Sequence, residues 1–306
     1  MNKIKKTFPL IVVTGPTASG KTTLAINLAK KIGAEIVCAD SRIVYKGLDI
    51  VSAKPSFVER EGILHYLIDI KEPVGEPYSA GDFCLDAKKC IEKIRERGKP
   101  VIITGGTWFY IKCLLDENEL LPVSSDKKLR EELETLDNIT LWQILEKLDK
   151  KRAEEIHPNN KERVIRAVEM VKTLGKEVSD TDRALNSEYN ALWFAPDYIK
   201  EEMRDELYKR IDLRVDEMIK AGLYYEWERM KGIYGRTKVL ENTIGYNEFF
   251  ELEDGLYSNI KEAFDKIKQR TRNFAKRQLT FFRGEEKIIT VKNEDEVLGY
   301  LNAAKR

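Results

Sequence analysis

The sequence lacks the features that indicate a membrane protein, a disulfide-rich protein or a uniformly basic nucleic-acid binder. No apolar run approaches the roughly 20 residues that a membrane-spanning helix needs. The four cysteines form no C-x-x-C pair and the two histidines have no metal-ligand neighbourhood, so we expect neither a disulfide framework nor a zinc site. Lysine and arginine (53) balance aspartate and glutamate (52), and the net charge of +1 leaves room for a local basic patch.

The first apolar run, from Phe8 to Val13, follows three lysines as in a secretory signal. However, Pro9 interrupts it and Gly15-Pro16 ends it, without a small-residue cleavage site. We therefore interpret the run as a buried first strand and expect a cytoplasmic protein.

The composition is that of a chain that folds around a core. It has 306 residues, 42% hydrophobic and 34% charged, which suffices for about two domains. In the first 115 residues, apolar strand-like runs alternate with amphipathic stretches. Predicted strands cover 9–13, 35–39 and 100–104; predicted helices cover 20–32, 79–97 (capped by Ser79) and a short stretch ending at Leu115. Such alternation is typical of a parallel sheet flanked by helices.

The pattern changes between about Leu121 and Asp182, where the signal is almost entirely helical. There Asn160 is placed to cap a helix that Gly175 ends. Strand patterns return at 191–195 and 287–291, with long helices predicted over 198–231 and 257–283. The sequence therefore predicts an α/β core formed by 1–120 and 186–306, interrupted by an all-helical insertion at 121–185.

One motif points to phosphate binding. The pattern G-x-x-x-x-G-K-[ST] is matched by Gly15, Pro16, Thr17, Ala18, Ser19, Gly20, Lys21 and Thr22. It follows the predicted first strand and opens the first helix, which is the context it requires. Backbone N–H groups, the helix N-terminus and Lys21 attract phosphate oxygens, and the Thr22 hydroxyl suits Mg²⁺. We expect a P-loop NTPase-like fold that binds a diphosphate or a triphosphate.

A nucleotide-hydrolysing enzyme or a kinase also needs a carboxylate that holds Mg²⁺ near this loop. The strand 100–104 runs instead into Gly105-Gly106-Thr107, and Asp69 lies in what we interpret as a turn or strand edge. The first carboxylate at a strand end is Asp40, at the sheet edge where open α/β folds carry out chemistry. Asp40 is either a reactive group or a cap of the next segment.

At this point the chain resembles the tRNA dimethylallyltransferase (isopentenyltransferase) family, of the bacterial type. The resemblance rests on blocks in the family's order: residues 15–22, Asp40-Ser41, 44–50, 53–55, 65–69, 78–80, 105–107, 110–111, 156–159, 244–246 and 275–280. These blocks span nearly the whole chain. Two departures are Val51, where the family usually has glycine, and Asn247, where a basic residue is common.

The resemblance implies transfer of the dimethylallyl group of dimethylallyl diphosphate to the exocyclic amine of adenosine 37, in tRNAs that read codons beginning with U. Lys21 and the rest of the phosphate loop, with Mg²⁺ on Thr22, would then stabilise a departing diphosphate. Arg210 and Arg214 resemble an additional diphosphate clamp. Asp40 matches the general base, and Thr107 the residue that steers the acceptor, so the implied catalytic residues are Asp40, Thr107 and Lys21.

The family also implies contacts with the anticodon stem-loop of tRNA. The positions that match are Asp40, Ser41, Arg42, Ile43, Thr107, Arg130, Glu162, Arg163, Arg166, Gly245, Tyr246, Lys276, Arg277, Gln278, Thr280 and Arg283. Independently of the family, 266–283 contains seven basic residues and no acidic one. At helical spacing, Ile267, Phe274, Phe281 and Phe282 fall on one stripe flanked by cations, which favours a helix that offers charge to RNA phosphates.

Three alternative functions are compatible with parts of the sequence. An adenylate isopentenyltransferase would use the same donor with a free nucleotide, but the insertion and the basic helix are large for so small an acceptor. A P-loop kinase acting on a small molecule fits the phosphate loop alone. A non-catalytic RNA-binding module would leave the phosphate loop and Asp40 without a purpose. We expect a monomer that does not contact a membrane.

Overall fold

The computed structural model describes residues 9–115, 126–179 and 189–304. The chain divides into two compact units: Met1–Glu117 with Ser187–Arg306, called the core unit below, and Asn118–Asn186, called the inserted unit. The sequence predicted a core of 1–120 and 186–306 and an insertion of 121–185.

The core unit is built on a six-stranded sheet with the order β3-β2-β4-β1-β5-β6. The strands are β1 (Leu10–Thr14), β2 (Glu35–Cys38), β3 (His65–Tyr66), β4 (Val101–Gly105), β5 (Ala191–Pro196) and β6 (Ile288–Val291). Every neighbouring pair is parallel. The five apolar runs from which strands were predicted correspond to β1, β2, β4, β5 and β6. Only the two-residue β3 carried no strand pattern, and the residues after it, Leu67 and Asp69, turn with positive φ as expected of a sheet edge.

Thirteen α-helices accompany the strands in the described part of the chain. They are α1 (Lys21–Ile32), α2 (Ala80–Glu96), α3 (Trp108–Leu115), α4 (Lys127–Glu134), α5 (Asn138–Leu148), α6 (Lys150–Glu154), α7 (Lys161–Leu174), α8 (Arg204–Lys220), α9 (Leu223–Tyr234), α10 (Lys238–Glu241), α11 (Asn247–Glu253), α12 (Ile260–Arg283) and α13 (Glu294–Ala303).

Helices cover both faces of the sheet. On one face, α1 and α13 pack in a cluster that includes Phe194 of β5; on the other, α8 and α12 pack in a cluster that includes the next residue, Ala195. Successive strand residues point to opposite faces, so both faces of β5 are buried. With the phosphate motif directly after the interior strand β1, the predicted P-loop NTPase-like α/β fold is confirmed. No helix of the described residues is long and apolar enough to cross a bilayer.

Some predicted helix boundaries are correct and others are wrong. Ser79 caps α2 through a reciprocal pair of hydrogen bonds with Asp82, as its position predicted. The single helix predicted over 198–231 is in fact two 3₁₀ turns (Asp197–Ile199 and Glu201–Met203) followed by α8 and α9, which are separate because Gly222 adopts φ 98° and interrupts the helix. Asn160 directly precedes α7, but its side chain makes no capping hydrogen bond.

In the described residues of the inserted unit, α4 to α7 pack around their own apolar cluster, which includes Leu141, Leu145 and Val168. Asp126, Asp137 and Asp149 cap successive helices through their carboxylates. The unit therefore has a hydrophobic core of its own, which is typical of an independent folding unit.

Candidate active site

The phosphate loop connects β1 to α1 through a backbone that few residue types adopt. Gly15, Ala18 and Gly20 have φ values of 145°, 62° and 85°. A run of such conformations turns backbone N–H groups toward a common point and forms an anion-binding concavity. The Ser19 hydroxyl is buried and has no hydrogen-bond partner among the described residues. An unpartnered buried donor inside this loop is a further group that an anionic ligand could satisfy.

Lys21 opens α1 with its ammonium turned back over the loop. Its Nζ donates to the carbonyl oxygen of Pro16 at 3.2 Å. Burial, together with the charge of Arg214, lowers the pKa of Lys21 to about 8, and the charge of Asp40 opposes that shift. A bound anion would restore the pKa by compensating the charge.

Helix α8 brings the predicted arginine pair to the same loop. Arg210 Nε donates to the carbonyl oxygen of Ala18 at 2.9 Å, and the Arg210 guanidinium lies 4.8 Å from the centre of the Tyr198 ring. Burial lowers the pKa of Arg214, while the charge of Asp40 raises it. Tyr198, which packs against the Arg210 guanidinium, was not identified from the sequence.

Asp40 follows β2 at the carboxyl edge of the sheet. Its Oδ1 accepts hydrogen bonds from the backbone N–H groups of Arg42 (2.8 Å) and Ile43 (3.3 Å). Both of these hydrogen bonds end on Oδ1, and Oδ2 has no hydrogen-bond partner in the described part of the chain. The two interpretations of Asp40 are therefore compatible, since one oxygen caps the next segment and the other is available to a substrate.

The glycine pair at the end of β4, Gly105 and Gly106, allows three segments to meet beside Asp40. A Cβ atom on Gly105 would lie 1.9 Å from the Ala39 carbonyl oxygen, and one on Gly106 would lie 2.5 Å from Nε2 of Gln278. Thr107 then donates its backbone N–H to Ala39, and its hydroxyl accepts the N–H of Ser41 at 3.1 Å. Thr107 is thus held against the segment that carries Asp40. As the sequence suggested, the loop directly after β4, which pairs with β1, begins with Gly106 and Thr107 and not with a carboxylate.

Several residues predicted to contact tRNA have their side chains engaged within the core unit. Tyr246 is fully buried and its hydroxyl donates to Glu226, whose carboxylate also accepts three successive N–H groups of residues 49–51. Arg42 donates to the carbonyl oxygens of Val239 and Asn242, and Ile43 is 8% exposed. Glu226 was not identified from the sequence, where an isolated glutamate on a helix carries no signal.

The same neighbourhood accommodates the departure at Val51. A Cβ atom on Gly245 would lie 2.8 Å from Cγ2 of Val51, and Gly245 has φ 100°. The valine side chain therefore packs where Gly245 has none. Asn247, the other departure, begins α11 and is half-buried.

The stripe predicted along α12 is only partly correct. Ile267 and Phe282 are buried, but Phe274 and Phe281 are 37% and 52% exposed. The buried face is completed instead by Ala275, Gln278 and Leu279. The prediction was wrong for two of its four residues because it counted aromatic side chains as core and small or polar ones as surface.

Four of the seven cations in 266–283 are also not free. Acidic partners from other elements pair with four of them: Lys268 with Asp216, Arg270 with Glu248 and Glu251, Arg272 with Asp212, and Arg283 with Glu201. The lack of acidic residues within 266–283 could not reveal these partners, which are distant in sequence. Lys276 and Arg277 are exposed and have no acidic partner among the described residues; Arg277 lies 6.0 Å from the Phe274 ring. Thr280 is exposed beside them.

In the inserted unit, a buried carboxylate organises two of the predicted tRNA-binding arginines. Glu169 is fully buried and pairs with both Arg130, through two hydrogen bonds of 2.9 and 2.8 Å, and Arg166. These two arginines hold the carboxylate's pKa below its usual value. Glu162 and Arg163 are exposed on the same helix, α7.

Glu169→Gln is expected to destabilise α7 by about 2 kcal/mol, because two partly exposed guanidinium groups lose their common counter-charge. Native-state hydrogen exchange of the α7 amides measures this directly. Glu162→Gln, on the exposed face of the same helix, is the matched control. Equal exchange rates in the two variants would show that the Glu169 cluster contributes nothing to the stability of α7.

No group of three or more His, Cys, Asp or Glu side chains suited to a metal ion occurs among the described residues. None of the four cysteines forms a disulfide. Thr22, in the first turn of α1, is half-buried and its hydroxyl has no hydrogen-bond partner in the described chain. Hydroxyl and phosphate oxygens are hard ligands of the kind that Mg²⁺ prefers.

Known proteins resemble this chain over nearly its whole length. A family model described as IPP transferase matches residues 43–285. The tRNA dimethylallyltransferase of Lachnoclostridium phytofermentans is 42% identical over 296 residues, covering 94% of this chain and 92% of that protein. The tRNA dimethylallyltransferase 1 of Trichlorobacter lovleyi is 43% identical over 284 residues, covering 90% and 91%.

Two solved structures have the same fold. The full-length tRNA isopentenylpyrophosphate transferase of Bacillus halodurans superposes with a TM-score of 0.69 at 34% identity, covering 98% of this chain and 96% of that one. A eukaryotic dimethylallyltransferase solved acting on tRNA superposes with a TM-score of 0.79 at 28% identity, covering 93% of this chain and 74% of that one.

Proposed function

Since the chain belongs to the IPP transferase family, we propose that it is a tRNA prenyltransferase that moves the dimethylallyl group of dimethylallyl diphosphate to the exocyclic amine of adenosine 37. The acceptors are tRNAs that read codons beginning with U, and the products are N6-dimethylallyladenosine and diphosphate. One observation carries the proposal: Asp40 lies close enough to Lys21 of the phosphate loop for its charge to oppose the lowering of the lysine's pKa, and only one of the two Asp40 carboxylate oxygens has a hydrogen-bond partner among the described residues.

The phosphate loop serves a leaving group in this reaction. As the allylic C–O bond breaks, its electron pair passes to the diphosphate, which gains negative charge. Lys21, Arg210 and Arg214 supply positive charge at the loop, and the backbone N–H groups add fixed dipoles. A pre-formed cationic pocket stabilises this charge without reorganisation, so it favours the transition state over the bound donor.

The acceptor amine needs a base because its lone pair is delocalised into the adenine ring. As the new C–N bond forms, the amine loses a proton, and Oδ2 of Asp40 is available to accept it. The hydroxyl of Thr107 accepts the Ser41 N–H, which leaves its own hydrogen free to orient the acceptor base. The target nucleotide must leave the anticodon-loop stack to reach this carboxylate.

Magnesium fits the oxygens at this site. Thr22 would hold the ion together with oxygens of the diphosphate, and the bound ion would neutralise charge on the leaving group.

Lys276 and Arg277 are the cations of α12 that we assign to tRNA phosphates, with Arg163 on α7 as a further contact. The double variant Lys276→Glu/Arg277→Glu is expected to weaken tRNA binding by about 10- to 100-fold and to reduce the salt-dependence slope by about 2. Filter binding of the anticodon stem-loop at several salt concentrations measures both. Lys261→Glu, exposed at the other end of α12, is the control. Unchanged affinity in the double variant would remove α12 from the RNA interface.

The reaction is tested by incubating the protein with Mg²⁺, dimethylallyl diphosphate and unmodified tRNA, then analysing the nucleosides by mass spectrometry. We expect dimethylallyladenosine at position 37 and none in a tRNA carrying guanosine 37. AMP is supplied in a parallel reaction, and its prenylation in preference to tRNA would favour an adenylate isopentenyltransferase instead.

A further inference from the structure

Gln278 is the one polar residue among the buried side chains of α12. It is 6% exposed, whereas its neighbours Lys276 and Arg277 are exposed on the same helix. A buried amide costs free energy unless its hydrogen bonds are made, so its partners indicate what it is for.

One hydrogen-bond partner of the Gln278 side chain lies in the phosphate loop, and the other lies directly after β4. Oε1 of Gln278 accepts the backbone N–H of Thr17, in the phosphate loop, at 2.9 Å. Nε2 donates to the carbonyl oxygen of Gly106, after β4, at 2.8 Å. The amide thus bridges two loops that are far apart in sequence.

The second of these loops leads directly to Asp40. Gly106 precedes Thr107, whose hydroxyl accepts the Ser41 N–H and whose N–H donates to the Ala39 carbonyl oxygen. An unbroken set of hydrogen bonds therefore connects the phosphate loop, through Gln278 and Thr107, to the segment that carries the carboxylate.

The bridge requires glutamine chemically. One partner is a donor and the other an acceptor, so the side chain must present a carbonyl and an NH₂ group together. Ionised glutamate would leave the Gly106 carbonyl without a donor, and methionine would leave both partners unsatisfied. The absent Cβ of Gly106 is equally required, since it would lie 2.5 Å from Nε2.

We propose that Gln278 is a positioning residue that fixes the phosphate loop relative to the Thr107–Asp40 segment, and that its side chain does not contact tRNA. The expected changes in kcat and KM rest on the proposed function, whereas the expected change in diphosphate affinity does not. It also replaces the tRNA-contact assignment that the family resemblance implied for this residue.

The test compares Gln278→Met with Gln269→Met, an exposed glutamine on the same helix. In Gln278→Met, we expect inorganic diphosphate with Mg²⁺ to bind about 10-fold more weakly by calorimetry, because two buried partners lose their hydrogen bonds. KM for dimethylallyl diphosphate should rise similarly and kcat should fall, while KM for tRNA stays within twofold of the wild type. Gln269→Met should match the wild type throughout.

Gln278→Glu provides a second measurement if the methionine variant does not fold. Ionised, it keeps the acceptor for Thr17 and loses the donor for Gly106; protonated, it offers both. Diphosphate affinity relative to the wild type should therefore recover as the pH falls from 8 to 6. A ratio that does not change with pH would contradict the bridging role.

The outcomes separate the proposals. Weaker diphosphate binding with unchanged tRNA binding supports the positioning role even if the wild type transfers no prenyl group, in which case only the proposed function fails. A raised KM or weaker affinity for tRNA with normal diphosphate binding would overturn the positioning role and return Gln278 to the RNA interface. Wild-type behaviour in all assays would also overturn it.

Discussion

Asp40→Asn is expected to lower kcat for dimethylallyl transfer by about 10²- to 10⁴-fold, the usual contribution of a general base. The asparagine oxygen can still accept the N–H groups of Arg42 and Ile43, so the turn after β2 should be preserved. What is lost is the carboxylate oxygen that accepts the proton. Single-turnover assays with tRNA in excess measure the rate, and tRNA binding should be unchanged.

Two comparisons make this result specific. Asp40→Ala also removes the capping acceptor, so it should be no more active than Asp40→Asn and less stable. Asp82→Asn alters an aspartate that caps α2 and should leave transfer unaffected. Near-normal turnover in Asp40→Asn would mean that another group accepts the proton.

The second large effect is expected for Lys21 and concerns kcat/KM for dimethylallyl diphosphate. With a pKa of about 8, Lys21 is protonated below that pH and neutral above it. Because the protonated form attracts the diphosphate, kcat/KM for dimethylallyl diphosphate should fall about tenfold per unit as the pH rises beyond about 8. Lys21→Met should lower kcat/KM by about 10²- to 10³-fold and abolish this dependence.

Lys21→Arg separates charge from titration. An arginine stays protonated over the accessible pH range, so the decline above pH 8 should disappear while part of the activity remains. A decline that persists unchanged in Lys21→Arg would assign the titration to another group.

The sheet and the phosphate loop could be predicted because local sequence determines them. Apolar β-branched runs are buried strands in a parallel sheet, and the spacing from Gly15 to Thr22 is set by one turn of chain around a phosphate. Asp40 was predictable as a candidate because it follows a strand at the carboxyl edge of the sheet, whereas Thr107 was assigned only from the family resemblance.

The remainder depends on partners that are distant in the chain. Arg270 appears as a free cation within its own segment, and only the fold brings Glu248 and Glu251 to it. Tyr246 belongs to a motif, yet packing buries it against Glu226. Gln278 lies among cations in the sequence, but the helix turns its side chain inward. Periodicity predicts that a helix has two faces, and tertiary packing decides which one is buried.

We infer that a phosphate loop of the nucleotide-binding type holds a leaving diphosphate in this protein. The most direct measurement is the amount of diphosphate released per dimethylallyladenosine formed, with ATP present in the same reaction. We expect equal amounts of the two products, no diphosphate release without tRNA, and unconsumed ATP. Rapid consumption of ATP, with phosphate transferred to a small acceptor and no prenylated tRNA, would contradict it.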